Sequence, residues 1–220
     1  HFLELTCLLP PAGGVAGGAR LAAALPSGVV AVYDLETQRT QRLLLGHVYD
    51  ITALAAAPPA WPGAAHLFAS AAESGAAKLW DLRAPGGAAA LTLTTCSNGD
   101  ALRGLALTAA PAGAGPGGGA VVAFAGGDGQ AVWAFDLRGG AGRALYELST
   151  GNMDVHALAW AEDAGALFAA CELEREDRCA RPSRGGSGRF GSRMARTRCV
   201  YVCVCVCACV CVLRGGGAGG

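Results

Sequence analysis

FASAAESGAAKLWDLR, residues 68–83, decides the fold. An apolar run over His66 to Ala72 meets a tight Glu73-Ser74-Gly75 turn. A second run returns over Ala76 to Trp80 and ends at Asp81. Short apolar runs split by a turn cluster predict an antiparallel hairpin. The same shape recurs at Leu21 to Leu35 and at Val122 to Arg138.

Working outward, each hairpin lies within a four-strand unit. The first unit predicts strands at Phe2 to Leu9, Leu21 to Leu25, Val29 to Tyr33 and Thr40 to Leu45. In the second they fall at Ile51 to Ala57, His66 to Ala72, Ala76 to Trp80 and Leu91 to Thr95. The third predicts Leu102 to Thr108, Val121 to Ala125, Ala131 to Phe135 and Leu145 to Leu148, with Gly126-Gly127-Asp128-Gly129 as its turn. A fourth unit opens with Val155 to Trp160 and Ala166 to Cys171, and there the pattern stops.

Asp34, Asp81 and Asp136 end the third strands at spacings of about 47 and 55 residues. Four short strands at such a period predict a propeller rather than a helical solenoid. The fold class is therefore all-β: an incomplete β-propeller of about three to four four-stranded blades, with a disordered C-terminal tail. The blades divide as 1–47, 48–99, 100–151 and a partial 152–171, and the tail is 172–220.

These residues resemble WD-repeat blades. The family pattern is Gly-His at the blade start, Ser or Thr in the second strand, Asp in the tight turn and Trp-Asp at the third-strand exit. The second unit carries Gly46-His47, Ser70 and Trp80-Asp81. The resemblance implies a hydrogen-bonded network in which imidazole links the Asp to the Ser hydroxyl and the hydroxyl meets the indole N–H. His47, Ser70, Ser74 and Trp80 are its expected members. Ser74 stands where the family carries Asp, with Glu73 beside it, which puts the carboxylate corner in doubt. In the first unit Tyr33-Asp34 replaces Trp-Asp, Ser27 takes the turn and Ala23 the Ser position. The third has Phe135-Asp136, one extra residue after Asp128-Gly129 that predicts a bulge, and Asn98-Gly99-Asp100 in place of Gly-His.

Trp80-Asp81-Leu82-Arg83 also fits the W-D-x-R pattern of WD-repeat substrate receptors in cullin-based ubiquitin ligases, and Phe135-Asp136-Leu137-Arg138 echoes it. The resemblance makes Asp81, Arg83, Asp136 and Arg138 candidate partner-binding residues, with Arg83 on the ligase adaptor. The bland reading of each Arg is a solvated surface residue after a strand.

Gly (34) and Pro (10) are frequent and the formal net charge is zero. A neutral chain has no general pull toward nucleic acid or acidic membrane. Ala, Gly, Arg and Pro dominate, as GC-rich codons would dictate, so Gly-rich runs carry little information. Beginning at His1, the chain reads as a fragment with no visible signal peptide.

In the tail, Arg175 to Gly191 lacks periodicity and reads as disordered. Cys199 to Val212 alternates Cys with Val almost throughout. Three readings compete for it: a strand with a row of thiols able to chelate a soft metal, a membrane anchor shorter than the roughly 20 residues a span needs, and read-through of a GTGTGT repeat. Monotony and abruptness favour the third. Cys7, Cys96, Cys171 and Cys179 show no pairing pattern and suit a reducing compartment.

No Ser/His/Asp set or metal-spaced cluster stands out in the sequence. His156 reads as a structural or rim residue, His1 and His66 offer no constellation, and Gly126 to Gly129 lacks the Lys-Ser/Thr of a phosphate loop. The expectation is a non-catalytic intracellular scaffold, cytoplasmic or nuclear, that binds other proteins. No cofactor, metal, nucleic acid, membrane or small-molecule substrate is expected. The alternatives are the ligase receptor and a propeller enzyme with a central-channel site. The enzyme would need polar first strands, whereas Ile51 to Ala57 and Leu102 to Ala110 are nearly all apolar.

Overall fold

The computed structural model describes residues 5–9, 19–95, 99–109, 121–137, 142–174 and 198–205. Among the described residues, fifteen strands form four antiparallel sheets in chain order. The first sheet holds β1 (Leu5–Leu9), β2 (Arg20–Leu25), β3 (Val29–Asp34) and β4 (Arg39–Leu45). The second holds β5 (Ile51–Ala56), β6 (Leu67–Ala72), β7 (Ala76–Asp81) and β8 (Leu91–Thr94). The third holds β9 (Leu102–Ala109), β10 (Val121–Gly127), β11 (Ala131–Asp136) and β12 (Ala144–Ser149). The fourth holds β13 (Asp154–Ala161), β14 (Ala166–Glu174) and β15 (Arg198–Cys205).

Each sheet is one blade, and successive blades stack through their first strands. β5 packs against β1 and β9, and β9 against β13. That adjacency puts the first strand innermost, as in a propeller. The β7 face of the second blade makes clear why its strands are apolar on both sides. Phe68 and Trp80 join Val30, Val32 and Leu44 of the first blade, while Ala69, Ala71, Ala77 and Leu93 join Leu105, Ala123 and Phe135 of the third. A sheet covered on both faces reads as a continuous apolar run rather than an alternating one. Small Ala residues let the sheets approach, and the few aromatics dominate the burial. Trp80 and Phe68 are essentially inaccessible and stacked at 6.4 Å. Burying either contributes about 1.5–3 kcal/mol.

The register corrects the third unit in two ways. Gly126 and Gly127 belong to β10, so the turn is Asp128-Gly129-Gln130 rather than Gly126 to Gly129. It matches Glu73-Ser74-Gly75 in length, with Gln130 at φ 56° where Gly75 has 75°. The pairing of β10 with β11 is then unbroken from Gly126↔Val132 to Val122↔Asp136. The extra residue expected between turn and exit is absent, because Asp128 occupies the first turn position and not the second. The irregularities lie instead between Ala134 and Phe135 against β12, and between Gly126 and Gly127 against β9. Gly127 is required there: a Cβ on it would collide with the Ala101 carbonyl oxygen.

The fourth blade also extends past its expected end at 171. β14 runs to Glu174, and Arg198–Cys205 pairs with it from Glu174↔Arg198 to Leu167↔Cys205. The first half of the Val-Cys run is thus a third strand rather than part of a structureless tail. Its alternation is the period of a β-strand, which is the physical reason it pairs. Arg138, Cys96, Cys179 and the segments 175–197 and 206–220 lie outside the described residues, and so does what was expected of them.

Candidate functional site

Two ends of the blades offer candidate sites. At the end where the third strand exits, Asp81 takes an N–H from Arg83 at 2.9 Å in a tight turn. Asp34 does the same with Glu36 and Thr37, at 2.9 and 3.0 Å. An Asp side chain closing its own turn is the physical reason for this residue at strand exits. The Arg83 fork also grips Asp81, with Nε to Oδ1 at 2.9 Å and NH2 to Oδ2 at 2.8 Å. Arg83 holds the Asp81 carboxyl below the usual carboxylate range. The Arg83 side chain is 55% exposed and its NH1 faces Gly63. Asp136 ends β11 at the equivalent position.

Between the blades lies the set around Trp80. Its Nε1–H donates to Ser70 Oγ at 2.7 Å, and His47 Nε2 meets the same oxygen at 2.7 Å. The His47 and Trp80 rings sit edge to face at 6.2 Å. Gly46 is open space for the indole: a Cβ there would come within 2.9 Å of the Trp80 ring. His47, Ser70 and Trp80 are thus brought together. Ser74 is not: His47 Nδ1 is buried and meets no hydrogen-bond partner among the described residues. Burial, reinforced by the Lys78 charge, pushes the His47 pKa down to about 4. The ring is neutral at neutral pH, which suits a packing role rather than proton transfer.

The opposite end carries residues that the sequence did not mark as binding candidates. Glu73 N–H donates to Asp50 O at 3.1 Å and Asp128 N–H to Ala101 O at 3.0 Å. Blade starts and second-strand turns therefore share this end. Three first strands carry one extra residue just inside it. Thr52 bulges from β5, Arg103 from β9 and His156 from β13, each opposite the same point of the second strand. A bulge re-aims a side chain that would otherwise follow the pleat. Thr52 Oγ1 donates to the Leu102 carbonyl of the next blade. Arg103 binds Asp128 through Nε and, at 2.9 Å, through NH2. His156 Nε2 pairs with Glu172 Oε2 at 2.8 Å.

Charge concentrates around these positions. The Asp128 bond raises the Arg103 pKa, helped by Glu73 and Asp154, so acidic groups from three consecutive blades surround one guanidinium. Burial and the Asp128 charge push the Asp154 carboxyl up. Only the register reveals this row, since nothing in a first-strand sequence marks which residue is extra. Among the described residues, no group of three His, Cys, Asp or Glu side chains is placed to hold a metal.

No family model and no curated protein matches the chain. Among solved structures, a chain of one described as "Crystal Structure of Mitotic Checkpoint Complex" is similar, with TM-score 0.52 and 24% identity. The match covers 68% of this chain and 41% of that one. The likeness, with the four antiparallel sheets, shows the fold of a partial β-propeller. This chain spans less than half of the longer chain it matches.

Proposed function

We propose that the chain is a non-catalytic intracellular scaffold that binds other proteins through the end of the blades bearing Thr52, Arg103 and His156. What supports this reading is the repeated bulge, which sets one polar residue per blade near the same end in three consecutive blades. Repetition along a curved stack makes an extended surface, the form that repeat proteins use to hold partners. Proximity crosslinking from this end tests the reading. Proteins captured by the wild-type chain should be lost with Arg103→Glu plus His156→Ala while circular dichroism stays unchanged. An unaltered capture profile removes the proposal.

A second reading is the ubiquitin-ligase receptor that engages its adaptor through Trp80 to Arg83. What favours it is that Arg83 is exposed yet held in one orientation by Asp81. Arg83→Ala should abolish adaptor pulldown with folding intact, and unchanged pulldown removes this reading.

A further inference from the structure

The link from the first blade to the second is pinned on both sides. Asp50 Oδ1 accepts the Ser27 N–H at 3.0 Å, and Asp50 O accepts the Glu73 N–H at 3.1 Å. One residue thus ties together the turns after β2 and β6. The backbone just before it lies against the first of those turns. A Cβ on Gly28 would come within 2.6 Å of the His47 carbonyl oxygen and 2.7 Å of the Tyr49 one. Between these fixed points Val48 is 83% and Tyr49 57% exposed. A contact made from a held backbone loses less freedom on binding. The pair stands at the blade end that carries Thr52, Arg103 and His156, on a link between two blades that are both present. A further blade would pack on a blade face and not over this link.

The charge beside Val48 and Tyr49 is acidic. Asp50 and Glu73 are exposed, and so is Asp100, whose backbone adjoins Gly75 of the Glu73 turn. Among the described residues no salt bridge reaches any of the three. The cations near them are committed: Lys78 Nζ donates to Thr92 Oγ1 at 3.2 Å, and Arg103 grips Asp128. The chain is neutral as a whole, so this excess is local. An apolar pair beside free carboxylates suits a side chain that is apolar along its stem and cationic at its tip. A cation over the Tyr49 ring gains further from the ring face.

We propose that this link takes a lysine or arginine side chain of a partner peptide, its stem on Val48 and Tyr49 and its charged tip toward Asp50 and Glu73. The proposal rests on the reading that this end binds other proteins, and it names the chemistry the end selects. Charge alone would favour any cation, whereas the apolar pair favours one with a long stem.

Fluorescence anisotropy with short labelled peptides tests the contact. One peptide alternates Lys with Ser. A second replaces each Lys by diaminobutyrate, the same charge on a shorter stem, and a third replaces it by Glu. On the wild-type chain the Lys peptide should bind about fivefold tighter than the diaminobutyrate peptide, and the Glu peptide should not bind. Val48→Ser with Tyr49→Ser should remove that preference and leave the charge-driven binding. Glu73→Lys should weaken both cationic peptides; the turn is held by the Glu73 backbone N–H, which the substitution keeps. Leu145→Ser, at an exposed apolar residue of β12, should change nothing. Circular dichroism checks the variants, and the peptide comparison on the wild-type chain decides even where one fails to fold. Equal binding of the two cationic peptides overturns the proposal. So does a preference that survives loss of Val48 and Tyr49, or tighter binding of the Glu peptide. Crosslinked capture tells this failure from that of the wider reading. Proteins lost with Arg103→Glu plus His156→Ala but kept with Val48→Ser plus Tyr49→Ser would leave the binding end in place and remove this contact.

Discussion

Ser70 Oγ lies 2.7 Å from His47 Nε2 while it accepts the Trp80 indole N–H. With one lone pair so filled, the hydroxyl proton is best used by donation to Nε2. The bond network thereby assigns the ring proton to Nδ1. Nδ1 is the buried atom without a partner. The second blade is pinned at three corners and open at the fourth, and the open corner is a donor.

Ser74→Asp should close it. A carboxylate at this turn position can accept the Nδ1–H, removing an unsatisfied buried donor whose cost is about 1–3 kcal/mol. Chemical denaturation should show a gain of about 1–2 kcal/mol with an unchanged slope. The nearby negative charge should also raise the His47 pKa, visible by NMR titration. A destabilised variant would mean that position 74 does not reach the ring.

Acid should loosen this blade through His47. Its folded pKa is about 4, below the roughly 6.5 of an unfolded chain. Between those values the unfolded state binds the proton and the folded state does not, so stability rises with pH. Stability should therefore fall as pH drops from about 6.5 toward about 4, by on the order of 2 kcal/mol once the water that reaches the ring is allowed for. His47→Asn is less stable throughout but should lack this part of the slope. Thermal melts of both proteins across the window check it, and parallel curves would place the titration elsewhere.

Gly127→Ala should be costly although it adds one methyl. The new Cβ meets the Ala101 carbonyl, which already accepts from Asp128 N–H. Backbone cannot yield as a flexible side chain would, so a loss of about 2–4 kcal/mol is expected. Gly151→Ala is the control, since its φ of 71° brings strain but its Cβ meets nothing within 4 Å. Its loss should be nearer 1 kcal/mol. Equal losses would show that the Ala101 backbone gives way to the new methyl.

These residues show where the sequence was legible. Strands β1 to β14 could be read because most are apolar or alternating runs bounded by Gly, Pro or charged turns, a purely local signal. The open corner was legible too, since Ser74 stands where a carboxylate belongs. The bulges at Thr52, Arg103 and His156 were not, because an extra residue exists only relative to the strand it opposes. The turn at Asp128 was misplaced for a related reason: Gly126 and Gly127 look like turn residues but serve close backbone approach. β15 was set aside because its monotony outweighed its period.

Arg83→Ala should leave stability almost unchanged, which is what makes it a clean probe of binding. The Arg83 side chain is largely exposed and, among the described residues, bonds within its own turn, to Asp81. Exposed ion pairs gain little over their solvated partners and are weakened by salt. The melting temperature should move by no more than about 2 °C, and added salt should shrink even that. Loss of Arg83 also frees the Asp81 carboxyl from the group that lowers its pKa most, so that pKa should rise toward its ordinary value while the backbone bond to residue 83 persists. Differential scanning calorimetry with carboxyl NMR titration checks both. A large drop in melting temperature would mean that the guanidinium lying over Gly63 also holds the loop before β6 in place, and any lost pulldown would then report folding rather than contact.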